Sequence, residues 1–295
     1  MASLKAVFVC LVLAAFSGAI TASNLLKKSC INSDCSAVRI TISNPPVNLW
    51  DVNVISQLNT LLIALKTENN TKVVVVSSDV PGFFGSQIDL NVLGPNPPPG
   101  INGTAVLDQY YDNLERILDA EVIFIAEVNG RAWGAGDEHL LRMDMRFAGP
   151  DAIFGAPEAA VGLIHVGGMQ QLVRLVGPGV AAEYMLSAAQ VPAKEAARTG
   201  WVNSAYRTAE ALREHADSLA SRIALFHIEV LRATKASIAE QAPSAQMLAR
   251  DLVRFDELAA MPFVAKNVAR ILTLSRDQSK GWELNNNDNI VKALY

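Results

Sequence analysis

Apolar and polar side chains alternate along Ala37-Val38-Arg39-Ile40-Thr41-Ile42-Ser43, and the run stops at Asn44-Pro45-Pro46. A period of two predicts a strand, and the prolines predict the turn that ends it. From Asp51 to Thr67 the Val, Ile and Leu residues recur every three or four positions, which predicts an amphipathic helix capped by Asp51. Val73-Val74-Val75-Val76-Ser77 and Val122-Ile123-Phe124-Ile125-Ala126 are short and almost wholly apolar, as expected of strands covered on both faces. Leu107 to Leu118, between them, has helical period. Strand, helix, strand, helix, strand in this order predicts crossover units and an α/β class for the first half of the chain.

Beyond Gly167 the spacing is mostly helical, over 169–176, 180–186, 193–199, 209–226, 228–238 and about 244–274. Leu93 to Gly103 (LGPNPPPGING) is too rich in proline for helix or sheet and is expected as a surface loop over a site. The Asn-rich stretch Asn285 to Asn289 is expected as an exposed turn or fraying tail. No internal repeat and no long linker divides the chain.

Composition narrows the class. Of 295 residues 51% are hydrophobic and 18% charged, which excludes collagen-like, coiled-coil and disordered chains. Lys and Arg number 25 against 29 Asp and Glu, with no basic stripe, so nucleic acid is not an expected partner. Residues 1–22 place Lys5 before an apolar run from Ala6 to Ile20 and small residues after it, the pattern of a cleaved secretory signal peptide. With Cys10 in that leader, Cys30 and Cys35 remain as an even pair suited to a disulfide in an oxidising compartment. Asn69-Asn70-Thr71 and Asn102-Gly103-Thr104 are N-glycosylation sequons in polar stretches. A secretory or extracellular protein is therefore expected, with no membrane span once the leader is removed; an intracellular location is the alternative.

His139, His165, His215 and His227 fall in no metal-ligand spacing and are expected as ordinary core or surface histidines, with no metal. A glycine-rich turn, Gly134-Ala135-Gly136-Asp137-Glu138, precedes an apolar helical run starting near His139. The free amides of a helix start carry partial positive charge, so an oxyanion would be stabilised there, with Glu138 in the first turn. An acidic residue favoured by the helix dipole explains the same residues without catalysis. A second carboxylate, Glu158, follows in Phe154-Gly155-Ala156-Pro157-Glu158; two glutamates on one pocket are suited to acid/base work.

The order Asn129-Gly130-x-Ala132-x-Gly134-x-Gly136-x-Glu138, then Phe154-Gly155-x-Pro157-Glu158, Gly162-Leu163 and Gly167-Gly168-x-Gln170-x-Leu172 resembles the enoyl-CoA hydratase/isomerase (crotonase) family. Val38 to Asn48, Phe84-x-x-x-x-Asp89-Leu90 and Glu195-Ala196-x-x-x-Gly200-Trp201-Val202-Asn203 resemble further segments of it. The similarity implies a spiral of ββα turns over 37–225 and a C-terminal helical region over 226–295 that builds a trimer or dimer of trimers. Residues 23–36 form an N-terminal segment with the cysteine pair. The resemblance also implies that the backbone amides of Ile88 and Ala135 hold a thioester enolate while Glu138 and Glu158 add water across a 2,3-enoyl bond, with CoA as part of the substrate and no cofactor. There are three departures from the family: Gln87 replaces a glycine, Asn91 replaces a lysine, and the tail from Lys280 to Tyr295 lacks the usual basic character. These departures and the leader leave two alternatives: an isomerase or hydrolase acting on a substrate without CoA, or a secreted scaffold without activity.

Overall fold

A computed structural model describes residues 24–94 and 97–295. The expected leader over 1–22 and residues 95–96 of the proline-rich stretch lie outside the described residues. Strand β1 (Leu26–Cys30) pairs antiparallel with β2 (Ala37–Ile42), and a disulfide joins Cys30 to Cys35 in the turn between them. Helix α1 (Val52–Thr67) follows; the Asp51 side chain accepts from the amides of Asn53 and Val54, and Ile55, Leu58, Leu62 and Leu65 are buried.

The chain then lays down strands in pairs: β3 (Val73–Ser78) and β4 (Gly82–Gly85), β5 (Ile123–Val128) and β6 (Gly130–Trp133), β7 (Met145–Ala148) and β8 (Ile153–Gly155). Helices α2 (Leu90–Leu93) and α3 (Gly103–Leu118) separate the first two pairs, and α4 (Ala135–Arg142) the last two. The third pair is followed by α5 (Glu158–Val161), α6 (Met169–Val176) and α7 (Pro178–Ser187). Next come β9 (Val191–Pro192), α8 (Ala193–Thr199) and β10 (Ser204–Ala205). The first strand of each pair enters a sheet of order β1-β2-β3-β5-β7-β10, parallel from β2 onward. The second enters a smaller sheet, β4-β6-β8-β9, with β9 antiparallel. This ββα repetition is the expected α/β spiral.

Burial explains the apolar strands. Val74 and Val76 face the core shared with α1 and α3, whereas Val73 and Val75 face Leu212, Ala216, Ala220 and Ala224 of α9 (Ala209–Ala224). Neither face meets water, so neither needs a polar residue. The remaining helices are α10 (Ile228–Ala239), α11 (Ala245–Ala259), α12 (Pro262–Leu274), α13 (Lys280–Glu283) and α14 (Asn286–Leu294). Phe255, Val264, Val268, Ile271 and Ile290 from this region pack with Leu90, Val161 and Leu163 in a separate cluster beside α5.

Several expectations are corrected. The helix expected from Leu107 starts at Gly103, because the Asn102 side chain caps it by accepting from the Ala105 amide at 3.2 Å. The block over 244–274 breaks before Pro262, which lacks the amide hydrogen to continue a helix. The Asn-rich stretch is not a fraying tail. Asn286 and Asn287 are fully buried at the start of α14, and the Asn287 side chain donates to the Ala188 carbonyl at 2.9 Å.

Candidate active site

The segment Ser86 to Leu90 crosses beneath the start of α4. Its backbone is held by hydrogen bonds from Ser86 to Asn48, from Trp50 to Gln87 and from Asp89 to Trp50, at 3.0, 3.0 and 3.1 Å. The Gly136 amide donates to the Ser86 carbonyl at 2.9 Å, which locks the helix start onto this segment. Gly134 has φ 52°, and a β-carbon there would lie 3.2 Å from a Glu158 oxygen and 3.3 Å from the Gln87 α-carbon. Glycine is therefore required by conformation and by space. Ile88 and Ala135 line one cavity, and neither amide donates to an acceptor among the described residues. Gln87, which replaces the family's glycine, does not adopt a left-handed backbone.

The same cavity, of about 60 Å³, is bordered by Glu138, Glu158, Tyr110, Tyr111, Leu163, Val166 and Phe255. Glu138 projects from the first turn of α4 and Glu158 opens α5. The Tyr110 hydroxyl donates to Glu138 Oε2, and the Gly167 amide donates to Glu138 Oε1 at 3.0 Å. Burial raises the Glu138 carboxyl above its usual pKa and the Glu158 charge adds to this, while His165, Tyr110 and Gly167 oppose it. Burial, reinforced by the Glu138 charge, also holds the Tyr110 phenol well above its ordinary value, so it remains a donor.

His165 is the component that the sequence did not reveal. It is not an ordinary core histidine: its Nδ1 lies 3.1 Å from Glu158 Oε2 and 3.4 Å from Glu138 Oε1, and its Nε2 lies 3.1 Å from Asp137 Oδ2. Asp137, fully buried, also accepts from Trp201 Nε1 at 2.9 Å. Burial opposes a charged imidazole, but Glu158, Asp137 and Glu138 outweigh it and hold the His165 pKa well above the usual histidine value. His165 Nδ1 and Glu158 Oε2 are both buried atoms and face each other as an ion pair. Ligand atoms of Glu138, Glu158 and His165 lie within 4.8 Å of one another, a spacing that a divalent cation also fits. His139 plays a different part. Burial lowers its pKa to about 3, its ring stacks on Trp50 at 3.6 Å, and its Nδ1–H donates to the Ala135 carbonyl at 2.8 Å.

The disulfide of Cys30 and Cys35 is remote in sequence from these residues and holds the β1–β2 turn. Asn69 and Asn102, the sequon acceptors, are both exposed. No helix among the described residues is long and apolar enough to cross a membrane.

A profile of the enoyl-CoA hydratase/isomerase family matches residues 33–258. The chain is 30% identical over 247 residues to the 2,3-dehydroadipyl-CoA hydratase of Escherichia coli, covering 82% of this chain and 94% of that one. It is 30% identical over 193 residues to the probable enoyl-CoA hydratase 2 of Arabidopsis thaliana mitochondria, covering 65% of this chain but only 63% of the plant protein. Among solved structures, it is similar to a Streptomyces avermitilis protein assigned as an enoyl-CoA hydratase, with TM-score 0.81 and 30% identity over 90% of this chain and 96% of the other. It is also similar to Pseudomonas aeruginosa DspI, with TM-score 0.68 and 30% identity over 83% and 99% of the two chains. With the profile spanning most of the chain and the ββα repetition preserved, the protein belongs to the enoyl-CoA hydratase/isomerase family of enzymes.

Proposed function

We propose that the protein adds water across the 2,3 double bond of an enoyl-CoA thioester. The observation that carries this is the convergence of two undonated amides, Ile88 and Ala135, with two carboxylates, Glu138 and Glu158, on one buried cavity. The thioester oxygen accepts from both amides, so the negative charge that develops on it as C3 is attacked is met by dipoles already in place. Glu138 accepts two hydrogen bonds, an arrangement suited to a carboxylate that orients water and takes its proton as the oxygen bonds to C3. The proton delivered to C2 comes from Glu158, and His165 beside Glu158 Oε2 offsets the charge left behind. Atoms balance: hydroxide adds to C3, a proton to C2, and proton exchange between the carboxylates restores the site. No cofactor enters this scheme.

Loss of crotonyl-CoA absorbance tests it. Glu138→Gln and Glu158→Gln are each expected to lower kcat by about 10³-fold, and together to abolish hydration, with KM little changed. Turnover surviving in the double variant would end this assignment.

A second reading, an isomerase or hydrolase acting on a substrate without CoA, is favoured by one feature. Asn91, Asp89 and Asp277 form a hydrogen-bonded polar and acidic patch where the family has a lysine for the CoA phosphates. A substrate panel followed by mass spectrometry separates the two. The secretory location is supported by the Cys30–Cys35 disulfide and the exposed sequons. A homotrimer is supported by apolar side chains left exposed around α9 and α10: Leu225, Phe226, Val230 and Ile238.

A further inference from the structure

Gln87 stands where the family has glycine, yet its side chain is buried and engaged at both ends. Its Nε2 donates to Glu283 Oε1 at 3.0 Å, and its Oε1 accepts from Asn286 Nδ2 at 2.9 Å. The neighbouring Ser86 Oγ donates to the other Glu283 oxygen at 2.9 Å. On the far side of Ile88, Gln278 Oε1 accepts from the Leu90 amide and its Nε2 donates to Asp89, both at 2.9 Å. Side chains from nearly two hundred positions downstream thus grip the segment before and after Ile88, while Ile88 borders the cavity and its amide donates to no acceptor among the described residues.

The downstream segment is itself held in an uncommon shape. Arg276, Asp277 and Gln278 have φ of 53°, 54° and 59°, a left-handed run that β-carbons disfavour. Such a run persists where its surroundings over-determine it. Here the two bonds from Gln278 to the segment, and the bond from its amide to Ser275 Oγ at 2.8 Å, do so.

We propose that Gln87, Gln278, Glu283 and Asn286 are positioning residues that strap the C-terminal segment across residues 86–90 and fix where the Ile88 amide points. The catalytic part rests on Ile88 serving as an oxyanion donor, as in the proposed function. An oxyanion donor works only within about 2.7–3.1 Å of the developing charge, so a segment that drifts loses kcat more than substrate binding. The departures at Gln87 and in the tail become one feature: the glutamine supplies the contact that this chain's own C-terminus needs.

Hydrogen–deuterium exchange of the peptide covering 86–91, measured beside crotonyl-CoA kinetics, tests the strap. Gln87→Ala and Asn286→Ala are each expected to speed exchange at this peptide, leaving β5 unchanged, and to lower kcat by about tenfold with KM within about twofold. Because the two share the bond from Asn286 to Gln87 while each also breaks one of its own, the loss in the double variant is expected to fall short of the sum of the single losses. If Asn286→Ala does not fold, Asn286→Ser, too short to reach Gln87, takes its place. Unchanged exchange overturns the strap whatever the turnover, as do additive losses or an unchanged kcat in an active enzyme. A wild-type protein that folds but does not hydrate crotonyl-CoA removes the hydratase assignment instead, and the exchange comparison still decides the strap.

Discussion

His165 holds three carboxylates together, Asp137 and Glu138 buried and Glu158 partly exposed, and its cost and benefit both come from its own burial. Removing the imidazole strands Asp137, Glu138 and Glu158 in a site with little water, and breaking a buried charge pair in this way costs about 3–5 kcal/mol. His165→Gln is therefore expected to lower the urea midpoint markedly, whereas His227→Gln, at the end of an exposed turn, is not; equal midpoints for the two variants would refute the role. The sign with pH follows from the raised folded pKa. The contribution of His165 is complete below the unfolded value of about 6.5 and fades as pH climbs through the higher folded one. Of these residues, the two glutamates drew notice beside glycine- and proline-containing turns, and the resemblance to the family's motif order paired them. His165 drew none, because a lone histidine between Ile164 and Val166 carries no spacing that announces a partner.

At the level of elements, the C-terminal helices carry the largest surprise. Glu283, enclosed by the strap, has its carboxyl pushed up to about 7 by burial, against a hydrogen bond from Ser86. A folded pKa above the unfolded 4.5 means that the native state keeps a proton the unfolded chain releases. Stability is thus full below about 4.5 and falls as pH rises toward 7, by about 3 kcal/mol for this group. Unfolding measured at pH 5 and pH 8 is expected to show a smaller loss in Glu283→Gln than in the wild type; identical losses would count against it. The β1–β2 disulfide acts on the unfolded chain instead. Its ring is short, so Cys30→Ser with Cys35→Ser is expected to cost about 2 kcal/mol, read from the denaturant midpoint. Strands β2, β3 and β5 and the long helices were visible in the hydrophobic period. The short strands β4 and β6 were not, because four residues are too few to establish one, and β8 showed only as a strand end before Pro157.

Across the whole molecule, the large sheet is sealed by α9 on one face and by the core over α1 and α3 on the other, while α10 sets Leu231, partly buried, and Lys235, buried, against it. The Lys235 ammonium donates to the Val122 carbonyl and to Asp144, both at 2.9 Å, so α10 is anchored by a charge and leaves apolar side chains outward. Sedimentation of the purified protein is expected to give a trimer, and Val230→Asp with Ile238→Asp to give a monomer; a monomeric wild type would show that this face has no partner copy. The sequence by itself determined the α/β class, because periodicity, glycine placement and capping are local; the ββα spiral and the pairing of the two glutamates came through the order of motifs that resembles the family. Only the tertiary structure decided that His165 joins those glutamates and that Gln87 meets Glu283 and Asn286. The free energy of a buried polar group is set by the partners that the fold brings to it, and here those partners lie far away along the chain.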